Sequence, residues 1–335
     1  MKQSENRWKI LAVCLTLTAV LGGCISSEEE TQDNEKDMIV VGFSEVGAES
    51  DWRVANTESM RNTFVEEDGY ELMFEDAKQK QDNQIAAIRN YILQEVDYIV
   101  LAPIVETGWD EVLLEAKEAH IPVIVVDRMI SVADESLYTA WVGSDFRAEG
   151  DMAVEWLEEK LKEQGRENEE IQIVHVQGTE GASAQLGRTA GLEAGLKKHS
   201  NWKLAARVMG EFTQAKTYEV ILDLLEKGTE MDVIYCENDN SAFGAIQALE
   251  EKGVSCGTDG DVMIISFDAT RAGLTYCLEG KINLDVECNP LHGPRVASII
   301  AQLEKGEVPD KQWFVSETYF TKENLSQDLI DSREY

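Results

Sequence analysis

The residues in this sequence that are best suited to chemistry are carboxylates, arginines and a tryptophan that follow short apolar runs. The candidate set is Glu49, Ser50, Asp51, Trp52, Arg53, Asp127, Arg128, Arg188, Asn238 and Asp268. Carboxylates and arginine forks can hold adjacent hydroxyl groups by charge-assisted hydrogen bonds, because each hydroxyl both donates and accepts. Trp52 offers a large apolar surface for the C–H face of a ring. The set therefore favours a neutral, polyhydroxylated ligand.

Each of these residues also has a simpler interpretation. A carboxylate between a strand and a helix often only caps the helix; Asp239 and Ser241 fit that role best, so Asp239 is left out of the site. Asp127 and Arg128 could form a local ion pair of little energetic weight, and Trp52 could be an ordinary core or surface aromatic. The placement of two arginines and a tryptophan after strands of both halves of the chain favours a site.

Motifs for other chemistry are absent from the sequence. There is no phosphate-binding loop, no dinucleotide-binding glycine motif and no nucleophile elbow. The four histidines are scattered, so we expect no metal and no cofactor, and His175 is expected to be a packed residue. Gly178, Gly181 and Gly187 are expected to serve a tight strand-to-helix turn. No catalytic residue is expected, although a glycosidase that uses two of the carboxylates is kept as an alternative, since sequence spacing does not measure their separation.

An alternation of strands and helices, repeated twice, positions the candidate residues. Apolar runs typical of buried parallel strands cover 38–43, 71–74, 98–102 and 122–127, and then 171–177, 203–209, 232–236 and 262–267, with helical stripes between them. This order predicts an α/β fold of two doubly wound, parallel-sheet lobes. Ligands bind beyond the carboxyl ends of such strands, so we expect the site in the cleft between the lobes.

Length and composition agree with this organisation. A chain of 335 residues suggests two domains, and 43% hydrophobic with 7% aromatic residues is ordinary for a globular protein. The 64 acidic and 30 basic residues give a net charge of -34. Such an acidic surface repels phosphates, which argues against a nucleic-acid partner.

The N-terminus predicts export. Residues 1–23 combine basic residues with an apolar run at 10–21 that is too short to span a bilayer, as in a secretory signal peptide. The end of this segment, Leu21-Gly22-Gly23-Cys24, resembles a bacterial lipobox, which implies that Cys24 is lipidated. An ordinary signal peptide with a chance cysteine is the alternative. Residues 24–37 are predicted to be an acidic tether, because 26–37 contains no apolar residue.

The remaining cysteines are Cys236, Cys256, Cys277 and Cys288. Export permits disulfides, but spacing does not give connectivity. Disulfides and buried free thiols both stay open.

Several segments resemble the type I periplasmic sugar-binding family, most closely its galactofuranose-binding members from bacterial ABC transporters. The resemblance lies in VGFSEVGAESDWR at 41–53, GTEGASAQLGR at 178–188, ENDNSAFGAIQAL at 237–249, and in 76–92, 101–128 and 266–270. It implies that Glu49 through Arg53 lie along the ligand, together with Asp127, Arg128, Arg188, Asn238 and Asp268. These are the strand-end residues identified above.

The resemblance also implies a three-strand hinge, with crossings expected near 142–145, 267–269 and 289–293. The first lobe would then comprise 38–143 plus 269–290, and the second 144–268 plus 291–335. The function implied is that of a monomeric lipoprotein on the outer face of the cell membrane. It would close on a monosaccharide and deliver it to an ABC permease with its ATPase. A sugar sensor for a membrane kinase or chemoreceptor is the alternative.

Overall fold

The computed structural model describes residues 38–335 of the chain. The predicted signal peptide (1–23), the tether (24–37) and the lipidation site Cys24 lie outside the described residues. Within 38–335, no helix combines the length and the apolar character needed to cross a bilayer. The described part contains two six-stranded sheets, each covered by helices on both faces.

The first lobe is built on a sheet whose six strands are all parallel. Its elements are β1 (Ile39–Glu45), α1 (Asp51–Thr63), β2 (Tyr70–Asp76), α2 (Gln81–Leu93), β3 (Tyr98–Leu101), α3 (Asp110–Glu118), β4 (Val123–Val126), β5 (Ala140–Gly143), α9 (Gly293–Glu304) and β11 (Gln312–Phe314). The strand order is β2-β1-β3-β4-β5-β11.

The second lobe repeats this plan with one antiparallel edge strand, β12. Its elements are α4 (Phe146–Glu163), β6 (Ile171–Gln177), α5 (Ser183–Lys198), β7 (Trp202–Met209), α6 (Gln214–Glu226), β8 (Val233–Cys236), α7 (Asp239–Glu251), β9 (Met263–Asp268), α8 (Arg271–Leu278), β10 (Leu284–Glu287), β12 (Tyr319–Phe320) and α10 (Gln327–Ser332). The order is β7-β6-β8-β9-β10-β12.

The central strands consist of apolar residues because both of their faces are buried. Alternate residues of β3 enter different cores: Val100 joins the cluster of β1 and α9, and Ile99 joins the cluster under α2 and α3. This two-sided burial explains why such strands appear in sequence as continuous apolar runs. The eight strands predicted from those runs are all present, with ends shifted by at most two residues.

The chain passes between the lobes three times within the described residues, at 143–146, 287–293 and 314–319. The first and second crossings lie where they were predicted. The crossing predicted at 267–269 is wrong, because β9 and α8 on either side of it both belong to the second lobe. The third crossing instead joins β11 to β12.

The predicted lobe boundaries need a matching correction. The stretch 269–290 was assigned to the first lobe, yet β10 pairs in parallel with β9, with Val286 opposite Phe267. The stretch 291–335 was assigned to the second lobe, yet Val296 and Ile299 of α9 pack in the first lobe's core. The alternation of strand and helix continues through β9, α8 and β10, and this keeps α8 and β10 on the second sheet.

Candidate functional site

A cavity with about 300 Å³ of empty space lies between the carboxyl ends of the two sheets. Its walls come from both lobes and from the second crossing. The lining residues are Glu49, Ser50, Trp52, Arg53, Asp127, Arg128, Phe146, Ala184, Arg188, Phe212, Asn238, Asp268 and Cys288. Nine of the ten residues predicted from sequence are among them, because the strand ends of two parallel sheets converge on one cleft.

Asp51 is the exception, and its assignment to the cavity wall is corrected. It is the first residue of α1, its side chain is exposed, and it does not line the cavity. Ser50 caps this helix by accepting a hydrogen bond from the backbone N–H of Arg53. The rotation of about 100° per helical residue therefore turns Trp52 and Arg53 inward and leaves Asp51 outside.

Arg53 is the centre of a buried charge network in the first lobe. Its Nη2 lies 2.7 Å from Asp127 Oδ2, its Nε 3.2 Å from Glu49 Oε1, and its Nη1 3.2 Å from Glu45 Oε1. Burial by itself would raise the pKa of Asp127, but Arg53 and Arg128 lower this pKa below its ordinary value. The three carboxylates raise the pKa of Arg53 against the effect of burial. Arg53 and Asp127 are therefore held as opposite charges.

Arg128 joins the same network from the end of β4. Its Nη2 lies 3.2 Å from Glu49 Oε1, and its Nη1 donates to the carbonyl oxygen of Ile104 at 3.1 Å. Its guanidinium lies 5.2 Å from the ring centre of Phe212, which belongs to the second lobe. Arg128 therefore reaches from one lobe to the aromatic wall of the other.

Two buried polar atoms of this network have no hydrogen-bond partner among residues 38–335. They are Glu49 Oε2, an acceptor, and Arg53 Nη1, which faces Glu45 without the alignment of a hydrogen bond. A buried polar group without a partner carries a desolvation cost of about 1–3 kcal/mol. A ligand with hydroxyl groups can supply both a donor and an acceptor here.

In the second lobe, Arg188 takes the corresponding position. Its Nε donates to Glu149 Oε2 at 2.7 Å, and its Nη2 lies 3.8 Å from Asp268 Oδ1. Its guanidinium also stacks 4.8 Å from the ring centre of Phe267. Burial raises the pKa of Asp268 well above its ordinary value, with Arg188 opposing the rise. Arg188 is therefore the positive charge that faces Asp268 at the cavity wall.

Asn238 both lines the cavity and caps α7. Its Oδ1 accepts from the N–H of Ser241 at 3.0 Å, and its Nδ2 donates to the carbonyl oxygen of Phe212 at 3.1 Å. Asn238 is therefore the cap of this helix, rather than Asp239. Asp239 lies fully buried outside the cavity and accepts hydrogen bonds from Ser266 and Thr270.

The aromatic wall is larger than the sequence indicated. Trp52, Phe146 and Phe212 form one buried cluster with Ala184 and Cys288. Phe146 follows β5 and Phe212 follows β7, so the same strand-end rule could have found them. Close approach at two glycines explains the positions of these rings: a Cβ on Gly178 would lie 1.9 Å from the Phe212 ring, and one on Gly187 would lie 2.6 Å from Phe146 Cβ. The turn predicted for Gly187 is wrong, because this residue lies inside α5.

The two lobes touch each other on the open side of the cavity. The N–H of Met129 donates to Ser183 Oγ at 2.8 Å, and the N–H of Glu106 donates to the carbonyl oxygen of Gly181 at 3.1 Å. The N–H of Asp51 donates to Asn240 Oδ1 at 3.0 Å. Trp52, Arg53 and Arg188 are at most 4% exposed. The structure is therefore that of a closed cleft.

The remaining sequence predictions concern cysteines and histidine. Cys236, Cys256, Cys277 and Cys288 are free thiols, which resolves the open choice for these four. His175 is fully buried on β6 and contacts Glu237 Oε1 through Nε2 at 2.8 Å, so it is a packed residue as predicted.

Comparison with known proteins gives consistent results. The model of the periplasmic binding protein domain family matches residues 41–292. The galactofuranose-binding protein YtfQ of Escherichia coli K12 is 35% identical over 87% of this chain and 90% of its own length.

Two solved structures are similar to this chain in both sequence and fold. A protein from Mycobacterium smegmatis in complex with β-D-fucofuranose has 38% identity and a TM-score of 0.81, covering 85% of this chain and 92% of its own. The periplasmic binding component of the arabinose ABC transporter of Shewanella sp. ANA-3, bound to L-arabinofuranose, has 39% identity and a TM-score of 0.79 over the same shares. The Escherichia coli and Shewanella relatives are binding proteins, and the matching family model is that of a binding-protein domain, which removes the glycosidase alternative. The chain therefore belongs to the periplasmic binding protein family and is a binding protein rather than an enzyme.

Proposed function

We propose that this protein captures a monosaccharide in its furanose form inside the closed cleft and delivers it to an ABC importer. The observation that carries the proposal is the balance of charge at the cavity wall. Three acids (Glu49, Asp127 and Asp268) and three arginines (Arg53, Arg128 and Arg188) line it. Further carboxylates, Glu45 and Glu149 among them, stand behind the arginines. These carboxylates would repel a phosphate or an ionised acid, whereas an uncharged ligand leaves the charge balance of the cavity wall unchanged.

The polar groups suit sugar hydroxyls in particular. The Glu49 and Asp127 carboxylates can accept from neighbouring hydroxyls, while Arg128 and Arg188 donate to ring or hydroxyl oxygens. Trp52, Phe146 and Phe212 supply apolar surface for the C–H bonds of the ring. The free acceptor at Glu49 Oε2 gives one such hydroxyl a defined partner.

The furanose assignment is supported by the ligands of three similar proteins, which are galactofuranose, fucofuranose and arabinofuranose.

Closure is the proposed mechanism of capture. The ligand contacts both lobes, so it binds the closed form more tightly and shifts the hinge equilibrium towards it by that difference in affinity. The importer then receives the closed form. We further propose that lipidated Cys24 and the acidic stretch 26–37 hold the monomer at the outer face of the cell membrane.

The ring form can be tested with a matched pair of locked sugars. 1,4-Anhydro-D-galactitol is a fixed five-membered ring, and 1,5-anhydro-D-galactitol is a fixed six-membered ring; neither can interconvert. We expect isothermal calorimetry to detect heat of binding for the first only. The variant R128M should lose most of this binding, and R61M, on the exposed side of α1, serves as the control. Equal binding of both compounds would refute the furanose assignment, and no binding of any monosaccharide would refute the function.

A further inference from the structure

We propose that Glu149 and Glu317 share one proton in the closed protein, and that this proton is taken up when the cleft closes on its sugar. The inference rests on the proposed sugar binding and adds to it a coupling between closure and pH. Neither residue lines the cavity. They lie directly behind its wall, where the three crossings meet.

The two carboxyl groups lie close to each other, and Arg188 is the one cation within ion-pair distance of them among residues 38–335. Glu149, Glu317 and the thiol of Cys288 place one atom each within 4.8 Å of one another. Glu149 Oε2 accepts from Arg188, while Glu149 Oε1 is buried with no donor from residues 38–335. Glu317 Oε1 already accepts two hydrogen bonds, from Ser144 Oγ at 2.6 Å and from the N–H of Asn289 at 2.7 Å.

This pattern assigns the proton to the second oxygen of Glu317. A proton there donates to Glu149 Oε1 and satisfies an atom that otherwise has no partner. Glu149 remains the anion that holds Arg188 against the cavity. In agreement, burial and the neighbouring Glu149 raise the pKa of Glu317 to about 9, and burial raises the pKa of Glu149 as well.

The charged and titratable groups that face the pair from other elements do not remove the need for a proton. Arg188 of α5 is the cation in contact, and it is already bonded to Glu149. The other groups are Asp268 at the end of β9, Tyr235 of β8, Cys288 after β10 and Arg295 of α9. Of these, Arg295 alone adds positive charge, and its guanidinium donates to the carbonyl oxygen of Leu291.

The hydrogen bonds of Glu317 connect the pair to hinge movement. Ser144 lies in the first crossing, Asn289 in the second and Glu317 itself in the third. Hinge rotation displaces these segments relative to one another. Because Arg188 and Cys288 line the cavity, an opened cleft admits water to the pair, and a hydrated carboxyl returns towards its ordinary pKa. The closed form then binds one proton more than the open form.

The direction in which sugar affinity changes with pH follows from this difference in bound protons. Sugar affinity is greatest at low pH and falls as pH rises, by up to tenfold per pH unit between the open-state and the closed-state pKa of the pair. Calorimetry in buffers of different ionisation enthalpy counts the protons taken up per sugar, with EDTA present so that no divalent metal ion competes for Glu149, Glu317 and Cys288. At pH 7 we expect uptake of up to one proton in the wild type and a clear decrease in E317Q, whose amide imitates the protonated carboxyl. E307Q, at an exposed glutamate, is the matched control.

The variant S144A and infrared spectra of E317Q test the shared proton in two further ways. Ser144 stabilises the charged form of Glu317, so S144A should shift the fall in affinity to higher pH. Infrared difference spectra of sugar-bound E317Q against sugar-bound wild type should show the loss of one protonated-carboxyl C=O band. Equal proton uptake in wild type and E317Q, or no change in that band, would overturn the proposal. A wild type that binds no sugar refutes the proposed function instead, whereas sugar binding without proton uptake refutes the shared proton alone.

Discussion

Replacing Arg53 is the most direct test of the charge network in the first lobe. In R53M, Glu45, Glu49 and Asp127 lose the three contacts of 3.2, 3.2 and 2.7 Å that the guanidinium makes. Breaking a buried ion pair from one side costs about 3–5 kcal/mol, because the partner charge stays buried. We therefore expect the free energy of unfolding of sugar-free R53M to fall by about 3–5 kcal/mol at pH 8.

The variant R53K separates charge from geometry. Lysine keeps one positive charge, but a single ammonium cannot reach three carboxylates as the guanidinium fork does. A lost hydrogen bond to a charged group costs about 1.5–3 kcal/mol, so R53K should be intermediate in stability. Its sugar affinity should fall by about tenfold or more, since Arg53 also lines the cavity.

The pH dependence of stability tests whether Arg53 is the counter-charge of these carboxylates. In the wild type, Arg53 and Arg128 keep the pKa of Asp127 low, so this stability is present above the ordinary pKa and is lost in acid. In R53M the buried carboxyls have raised pKa values, so stability is lost as pH rises through them. The difference between wild type and R53M must therefore be smaller at pH 5 than at pH 8.

Urea unfolding at both pH values measures this difference. R61M is the control: Arg61 is on the same helix, half exposed, and pairs with Glu58 at 3.4 Å. Its loss should stay within about 0.5 kcal/mol. A loss in R53M that equals the control at pH 8, or that does not change with pH, would refute the account of Arg53 as the counter-charge of a buried cluster.

Three further predictions follow from other residues. Removing the ring in F212A takes away one aromatic wall and the partner of Arg128, so sugar affinity should fall by about tenfold in calorimetry, and unaltered affinity would contradict its role as a wall. Burial raises the pKa of Glu45 from 4.5 to about 7, so the stability from its neutral form is complete below pH 4.5 and is lost as pH rises towards 7. In E45Q this decline should be absent when urea unfolding is followed from pH 4.5 to 7.5, and an identical pH profile would disprove it. Finally, C24A should release the protein from the membrane fraction into the soluble exported fraction, as detected by immunoblotting; retention at the membrane would argue against a lipid anchor at Cys24.

The candidate site was predictable to a large extent because of a geometric rule. In a parallel sheet the carboxyl ends of neighbouring strands lie along one edge, so residues distant in sequence, such as Arg53, Asp127 and Arg188, can be placed together without coordinates. The rule needs only the strand ends, and continuous apolar runs give those to within about two residues. Phe146 and Phe212 obey the same rule, but local backbone geometry decides which loop residues face the cleft. Phe212, for example, has φ of +60°.

The lobe to which an element belongs was less predictable. The hydrophobic pattern from residue 269 onwards predicts strands and helices, but it does not predict to which of the two sheets each element belongs. The choice depends on tertiary packing: β10 pairs with the preceding strand β9, whereas α9 packs beside α1 from the start of the described chain. The boundaries implied by the resemblance, which placed 269–290 in the first lobe and 291–335 in the second, therefore exchanged parts of the two lobes.

Residue types and their spacing were enough to predict the two series of strands and helices, the arginines and carboxylates at the strand ends, and the absence of motifs for other chemistry. These features are local, since they depend on hydrophobic period and on residue type. Tertiary structure alone decided that Asp51 turns outward, that the third crossing is at 314–319, and that Glu149 meets Glu317 behind the cavity. Those outcomes depend on helix rotation, long-range strand pairing and burial, which arise only when distant segments pack together.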